Sequence, residues 1–195
     1  MKNTNYLKHT ISFFILLCIA IINISCGNLE KLFLENSNDW LTKGDANWSF
    51  SNNELTGEVK DGDGYVFSKQ HYKNFILELE FKPDSTINSG VFLRCSTDTI
   101  SPTHCYEVNI WDLHPNQKYR TGAIVLKSNP TEIVHTIDKW NTYKIKNEND
   151  RIQVWVNDTL TTDIKDTTYT KGYISLQAKG TGSVGFRNVT IKTLN

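Results

Sequence analysis

The chain has 195 residues, with 21 Lys and Arg balanced by 21 Asp and Glu, so its formal net charge is zero. That balance gives no sign of a nucleic-acid partner, and the length left after a short leader allows one domain with a substantial core rather than two.

The first element is that leader. Lys2 and Lys8 precede an almost wholly apolar run from Ile11 to Ile24, and Ile24-Ser25-Cys26-Gly27 follows. This is the pattern of a secretory signal, residues 1–26. A small residue before Cys at the end of such a run is similar to a bacterial lipobox, which makes Cys26 the expected lipidation site. The run is shorter than the roughly 18 to 20 residues a spanning helix needs, so an uncleaved anchor is the weaker alternative. The resulting expectation is a lipid-anchored protein of a bacterial cell envelope, facing the periplasm, with surface display as the alternative. Residues 27–45 read as a tether and entry into a domain covering 46–195.

Beyond the tether the chain reads as strand after strand. ELTGEV (54–59), GYVFSK (64–69), FILELEF (75–81), GVFLR (90–94), YEVNIW (106–111), GAIVLK (122–127), TYKIK (142–146), RIQVWVN (151–157), GYISLQ (172–177) and VGFRNVTIK (184–192) are rich in β-branched and aromatic residues, many of them alternating. Asn147 to Asp150 and Asn157-Asp158 supply turns, and Asn88-Ser89-Gly90 reads as a turn into GVFLR. No long stripe of period 3.6 follows the leader. The fold class is therefore all-β, a two-sheet sandwich with jelly-roll-like topology.

YEVNIWD places two carboxylates, an amide and a tryptophan within seven residues. Alternation sends Tyr106, Val108 and Ile110 to one face, and Glu107, Asn109 and Trp111 to the other. The first set is apolar and predicts core. The second predicts either the floor of a site or the wet side of a sheet.

Taken in order, GDANWSFSNNELTG, NFILELEFK, NSGVFLR, YEVNIWD, TGAIVLK, KWNTYKI and GYISLQAKGTGSVGFRNVTIK resemble the bacterial 3-keto-disaccharide hydrolase domain family across nearly all of the chain after the leader. The resemblance implies a concanavalin- or laminin-G-like sandwich and cleavage of glycosides already oxidised at sugar carbon 3. A ketone there acidifies the proton on carbon 2, so a base, a cation or donor for the enolate oxygen, and an acid for the leaving group suffice. Ordinary glycosidases need two flanking carboxylates instead. On sandwiches of this type these often stand at i and i+4 of one strand, and four residues after Glu107 stands Trp111.

These requirements order the candidates. Glu107 is the expected base, with a solvated strand carboxylate as its alternative, and Arg94 the expected enolate cation. Asp112 and His114, at the strand end, are the expected acid, or partners of Glu107 in holding a divalent metal. No cofactor is otherwise implied. Asn109, Trp111, Lys127, Gln177 and Asn88 are the expected substrate contacts, Gln177 because it shares a face with Tyr173 and Ser175. The expected partner is an oxidised di- or oligosaccharide, with a non-catalytic glycan-binding module as the competing function class.

Cys95 and Cys105 are the only cysteine pair outside the leader, and either a disulfide or two reduced thiols is compatible with their spacing. Direct opposition of the two would set Arg94 across from Tyr106 and Leu93 across from Glu107, placing Arg94 and Glu107 on opposite faces. A one-residue shift or a bulge would reunite them, and a common site is the expectation.

Overall fold

The computed structural model describes residues 28–195; the leader and Cys26 lie outside them. Among the described residues, thirteen strands run in chain order: β1 (Leu29–Lys31), β2 (Trp40–Gly44), β3 (Asn47–Ser51), β4 (Glu54–Val59), β5 (Asp63–Ser68), β6 (Phe75–Pro83), β7 (Ile87–Cys95), β8 (Tyr106–Ile110), β9 (Asn141–Glu148), β10 (Arg151–Val156), β11 (Thr159–Lys165), β12 (Tyr173–Gly180) and β13 (Gly182–Thr193). They form two antiparallel sheets, an all-β sandwich. The larger has the order β11-β10-β9-β6-β13-β4-β3, with β1 also on β13; the smaller has the order β2-β5-β12-β7-β8. Within the segment read as tether and domain entry, residues 28–45 join the domain: β1 and β2 extend one sheet each, and Leu32 and Phe33 between them are core residues.

Period-2 patterning explains the layers. In β6, Phe75, Leu77, Leu79 and Phe81 point inward, at most 3% exposed, while Glu78 and Glu80 point out. Opposite them the smaller sheet contributes Val91, Leu93, Tyr106, Val108, Ile110, Ile174 and Leu176 to the same core. Each such side chain stabilises the fold by roughly 1.5–3 kcal/mol on burial. The inner face of β8 is thus saturated with apolar contacts, which obliges Glu107 and Asn109 to face the other way.

Two segments differ from expectation. Asn88-Ser89-Gly90 lies inside β7 rather than in a turn, and Ser89 Oγ donates to Gln177 O at 2.6 Å in the strand alongside. GAIVLK forms no regular strand. Gly122 and Leu126 have φ of 89° and 64°, incompatible with an extended run. The segment nevertheless lies along the free edge of β8, with Asn109 N donating to Ala123 O and Val125 N to Glu107 O. Thr161 and Thr162 Oγ1 anchor it by donating to Gly122 O at 3.1 and 2.8 Å. The strand that carries Glu107 and Asn109 is consequently held from both sides.

The register between β7 and β8 pairs Phe92 with Glu107 and Leu93 with Tyr106, one residue away from direct opposition of the cysteines. A disulfide between Cys95 and Cys105 forms all the same. A bulge reconciles the two. β12 pairs Tyr173 with Cys95 and Ser175 with Phe92, so Leu93 and Arg94 together oppose Ile174. Arg94 takes the left-handed φ of 51°, and the extra residue turns Cys95 to the outer face, toward Cys105.

Candidate active site

A cavity of about 260 Å³ opens on the outer face of the smaller sheet. Directly opposed residues share a face, so the registers generate its floor in rows. One row runs Asp63, Lys179, Asn88; the next runs Tyr65, Gln177, Gly90, Asn109; the third reaches Phe92 and Glu107. His114 and Val125 close one side, and Ile100, Ser101 and Pro102 form another wall. That wall belongs to the loop between β7 and β8, which the disulfide closes and Lys43 Nζ braces at 3.1 Å from Asp98 O.

Glu107 is 7% exposed, and among the described residues none donates a hydrogen bond to its carboxylate. Burial pushes it up to about 7, against a smaller opposing pull from the positive charge of Lys179. A carboxylate with this affinity both takes and returns a proton at neutral pH. The missing side chain at Gly90 makes room for it, because a Cβ there would stand 3.3 Å from Glu107 Cγ and Oε1.

The other floor groups are amides and a hydroxyl. Gln177 Nε2 donates to Tyr65 Oη at 3.2 Å, and Tyr65 Oη donates to Asp63 Oδ2 at 2.9 Å. Asn109 Nδ2 donates to Tyr119 O. The remaining amide oxygens, Asn88 Oδ1, Asn109 Oδ1 and Gln177 Oε1, are buried without a donor among the described residues. His114 Nδ1 accepts from Asn116 N at 3.0 Å, and burial lowers the affinity of the ring for a second proton. The neutral ring therefore carries its proton on Nε2, as a donor.

Of the residues expected to form a site, the structure gathers Glu107, Asn109, Gln177, Asn88 and His114 around this cavity. The others lie elsewhere. Arg94 is 1% exposed and points away: Nε donates to Lys73 O at 2.8 Å, Nη1 to Asn149 O at 2.9 Å and Tyr169 O at 3.1 Å, and Nη2 to Asn74 Oδ1 at 3.3 Å. It clamps three loops, and the common site with Glu107 does not form. Asp112 turns inward, where its carboxylate accepts from Thr136 N at 2.6 Å and Thr136 Oγ1 at 2.9 Å, with Arg120 at 3.9 Å. Lys127 is tied to Asp166 Oδ2 at 2.9 Å and Thr168 Oγ1 at 2.7 Å. Trp111 lies past the end of β8 and packs on the His114 ring with centroids 4.5 Å apart, outside the cavity lining. Among the described residues no three His, Cys, Asp or Glu side chains gather as a metal-binding group, and Asp112 is unavailable to join Glu107 and His114 in one.

Lining residues absent from the sequence-based set are Asp63, Tyr65, Phe92, Val125, Lys179 and the Ile100–Pro102 wall. Lys179 was within reach of the alternation that indicated Gln177, being two residues further along the same strand. Asp63 and Tyr65 were not, because β5 is buried on both faces and shows no polar alternation.

Residues 30–192 match the 3-keto-alpha-glucoside-1,2-lyase-like domain. The chain belongs to that family. Among solved structures, this lyase-like domain is similar to a candidate glycosyl hydrolase from Parabacteroides distasonis ATCC 8503, with 26% identity, a TM-score of 0.70, and coverage of 86% of this chain and 100% of that one. A carbohydrate-binding module from Bacillus subtilis (22% identity, TM-score 0.63, 83% and 99% coverage) shares the fold. So does the Bacillus licheniformis beta-glucanase (17% identity, TM-score 0.58, 87% and 99% coverage). None of the curated proteins is significantly similar to the chain. Family membership and the hydrolase-like neighbour give the lyase-like domain a carbohydrate-related, hydrolase-like role.

Proposed function

We propose that the cavity binds a glycoside oxidised to a ketone at sugar carbon 3 and cleaves it by elimination followed by hydration, with Glu107 as the base. The observation that carries this reading is Glu107 itself: a carboxylate on the cavity floor, poised near neutrality by burial and free of protein hydrogen bonds that would blunt its basicity. Glu107 takes the proton from carbon 2, and the electrons of that bond move to the ketone oxygen as an enolate. Collapse of the enolate breaks the bond from carbon 1 to the glycosidic oxygen, leaves a double bond between carbons 1 and 2, and the departing oxygen picks up a proton. Water then gives its oxygen to carbon 1 and a proton to carbon 2. Lys179 and the Nε2 proton of His114 are donors in the lining for the developing negative charge.

Direct hydrolysis fits the cavity less well. The other carboxylate in its lining, Asp63, is engaged by Tyr65 and lies three strands and two rows from Glu107, roughly 14 Å across the sheet and roughly 13 Å along it at the usual spacings. Paired glycosidase carboxylates lie about 5 to 10 Å apart. The disulfide supports the expectation of an oxidising compartment, and lipidation at Cys26 remains part of this proposal.

The deciding experiment is turnover of a panel of 3-keto-disaccharides. Glu107→Gln should cut the rate by about a hundredfold or more while leaving binding within a few-fold. The wild-type rate should rise as pH passes through about 7, where Glu107 loses its proton. Rapid cleavage of unoxidised disaccharides would reject elimination. Binding without turnover of any keto-sugar would identify a glycan-binding module instead.

A further inference from the structure

We infer that Asn109 and Gln177 flank a cleft above Glu107 that grips a single sugar ring through its hydroxyl hydrogens. The inference rests on reading the cavity as a sugar site and adds which atoms of the sugar it holds. Gln177 pairs with Gly90 on one side of β7 and Asn109 pairs with it on the other, so the two amides flank a position that has no side chain. They stand two strands apart, roughly 10 Å between backbones. The Glu107 side chain fills the position left between them, its Cγ and Oε1 3.3 Å from where a Cβ on Gly90 would be, so a ring held by the two amides rests on the base.

Both amides are fixed in orientation by their partners. Gln177 must present Nε2 to Tyr65 Oη, because the hydroxyl hydrogen of Tyr65 is committed to Asp63 Oδ2. Asn109 must present Nδ2 to Tyr119 O, because that carbonyl can only accept. Rotating either amide would set oxygen against oxygen. Gln177 Oε1 and Asn109 Oδ1 are therefore acceptors, on residues 3% and 1% exposed, with no donor among the described residues. Unpaired buried acceptors are costly, so a ligand gains affinity by bringing hydrogens to them. Ketone, ring and glycosidic oxygens bring none. Hydroxyls do, so the sugar enters with two hydroxyls against the amides and its ketone turned toward Lys179 or His114, two donors of the lining.

The test uses methyl 3-keto-α-glucopyranoside and its 2-, 4- and 6-deoxyfluoro forms, with binding to the Glu107→Gln protein measured by calorimetry. Fluorine replaces each hydroxyl with a group that cannot donate. Two of the three fluoro sugars should bind roughly tenfold or more weakly than the parent. In Gln177→Met the penalty of one of these should largely vanish while the other persists, a coupling that a purely structural Gln177 would not produce. Equal affinity across the fluoro series overturns the cleft, and so do penalties that simply add to that of Gln177→Met. Should Gln177→Met fail to fold, the fluoro series decides alone. Turnover of the parent by wild type with a flat fluoro series rejects the cleft and leaves elimination standing. Donor-dependent binding without turnover does the reverse, and absence of binding by every sugar rejects both.

Discussion

The stability of Glu107→Gln relative to wild type should grow as pH rises through neutrality, by an amount the cavity itself sets. The folded state holds the Glu107 proton up to about 7, whereas the unfolded chain releases it near 4.5. The folded value is the raised one, so the favourable contribution is fully present below about 4.5 and is lost as pH rises through about 7. A difference of that size corresponds to about 3 kcal/mol. Glutamine never ionises and escapes the loss. Urea unfolding of both proteins, with the disulfide oxidised, should show the stability of Glu107→Gln relative to wild type growing by about 3 kcal/mol between about pH 4.5 and about pH 8.5. Any fixed cost of the amide, and every other titrating group, cancels in that pH-dependent difference. A difference that stays flat to within about 1 kcal/mol would refute the claim that burial of a charge sets the affinity of this group, and with it the argument that it is poised as a base. The same substitution would thus trade activity for stability, as expected where a site stores an unfavourable charge.

Alternation carried most of the fold and half of the site. FILELEF and RIQVWVN each bury one face only, so the sequence pattern and the burial pattern coincide. Glu107, Asn109 and Gln177 follow from the same rule, because their strands have an apolar inner face. The rule fails where backbone geometry departs from a regular strand. Nothing local in GVFLRC announces that Arg94 adopts a positive φ, yet that one dihedral sends its guanidinium to the far side and aligns the two cysteines. The turn-like composition of Asn88-Ser89-Gly90 misleads for a different reason: Gly90 is small to accommodate Glu107, and Ser89 is polar because it bonds across to Gln177 O. Asp112 shows the limit of composition, since a carboxylate beside a strand end serves equally as an acid or, as here, as the acceptor that organises Thr136. The Ile100–Pro102 wall depends on a loop closed by the disulfide, a tertiary fact that no periodicity encodes.

Three further outcomes are expected. Reducing the disulfide, or Cys95→Ser, should lower stability by about 2 to 3 kcal/mol in urea unfolding, and should raise KM more than it lowers kcat because the Ile100–Pro102 wall is released. Gly90→Ala should lower kcat/KM by roughly tenfold, measured with a 3-keto-disaccharide, with a stability change of about 1 kcal/mol, since the new methyl meets Glu107 Oε1 at 3.3 Å. Arg94→Met separates structure from chemistry. It keeps the apolar stem but removes every donor to Lys73 O, Asn149 O and Tyr169 O, so it should cost about 3 kcal/mol or more. Because the guanidinium never reaches the cavity, kcat/KM per folded molecule should stay within about twofold of wild type at temperatures where both remain folded. A large fall in kcat/KM of fully folded Arg94→Met, with little loss of stability, would return Arg94 to the site and show that the bulge is not the conformation in which the protein works.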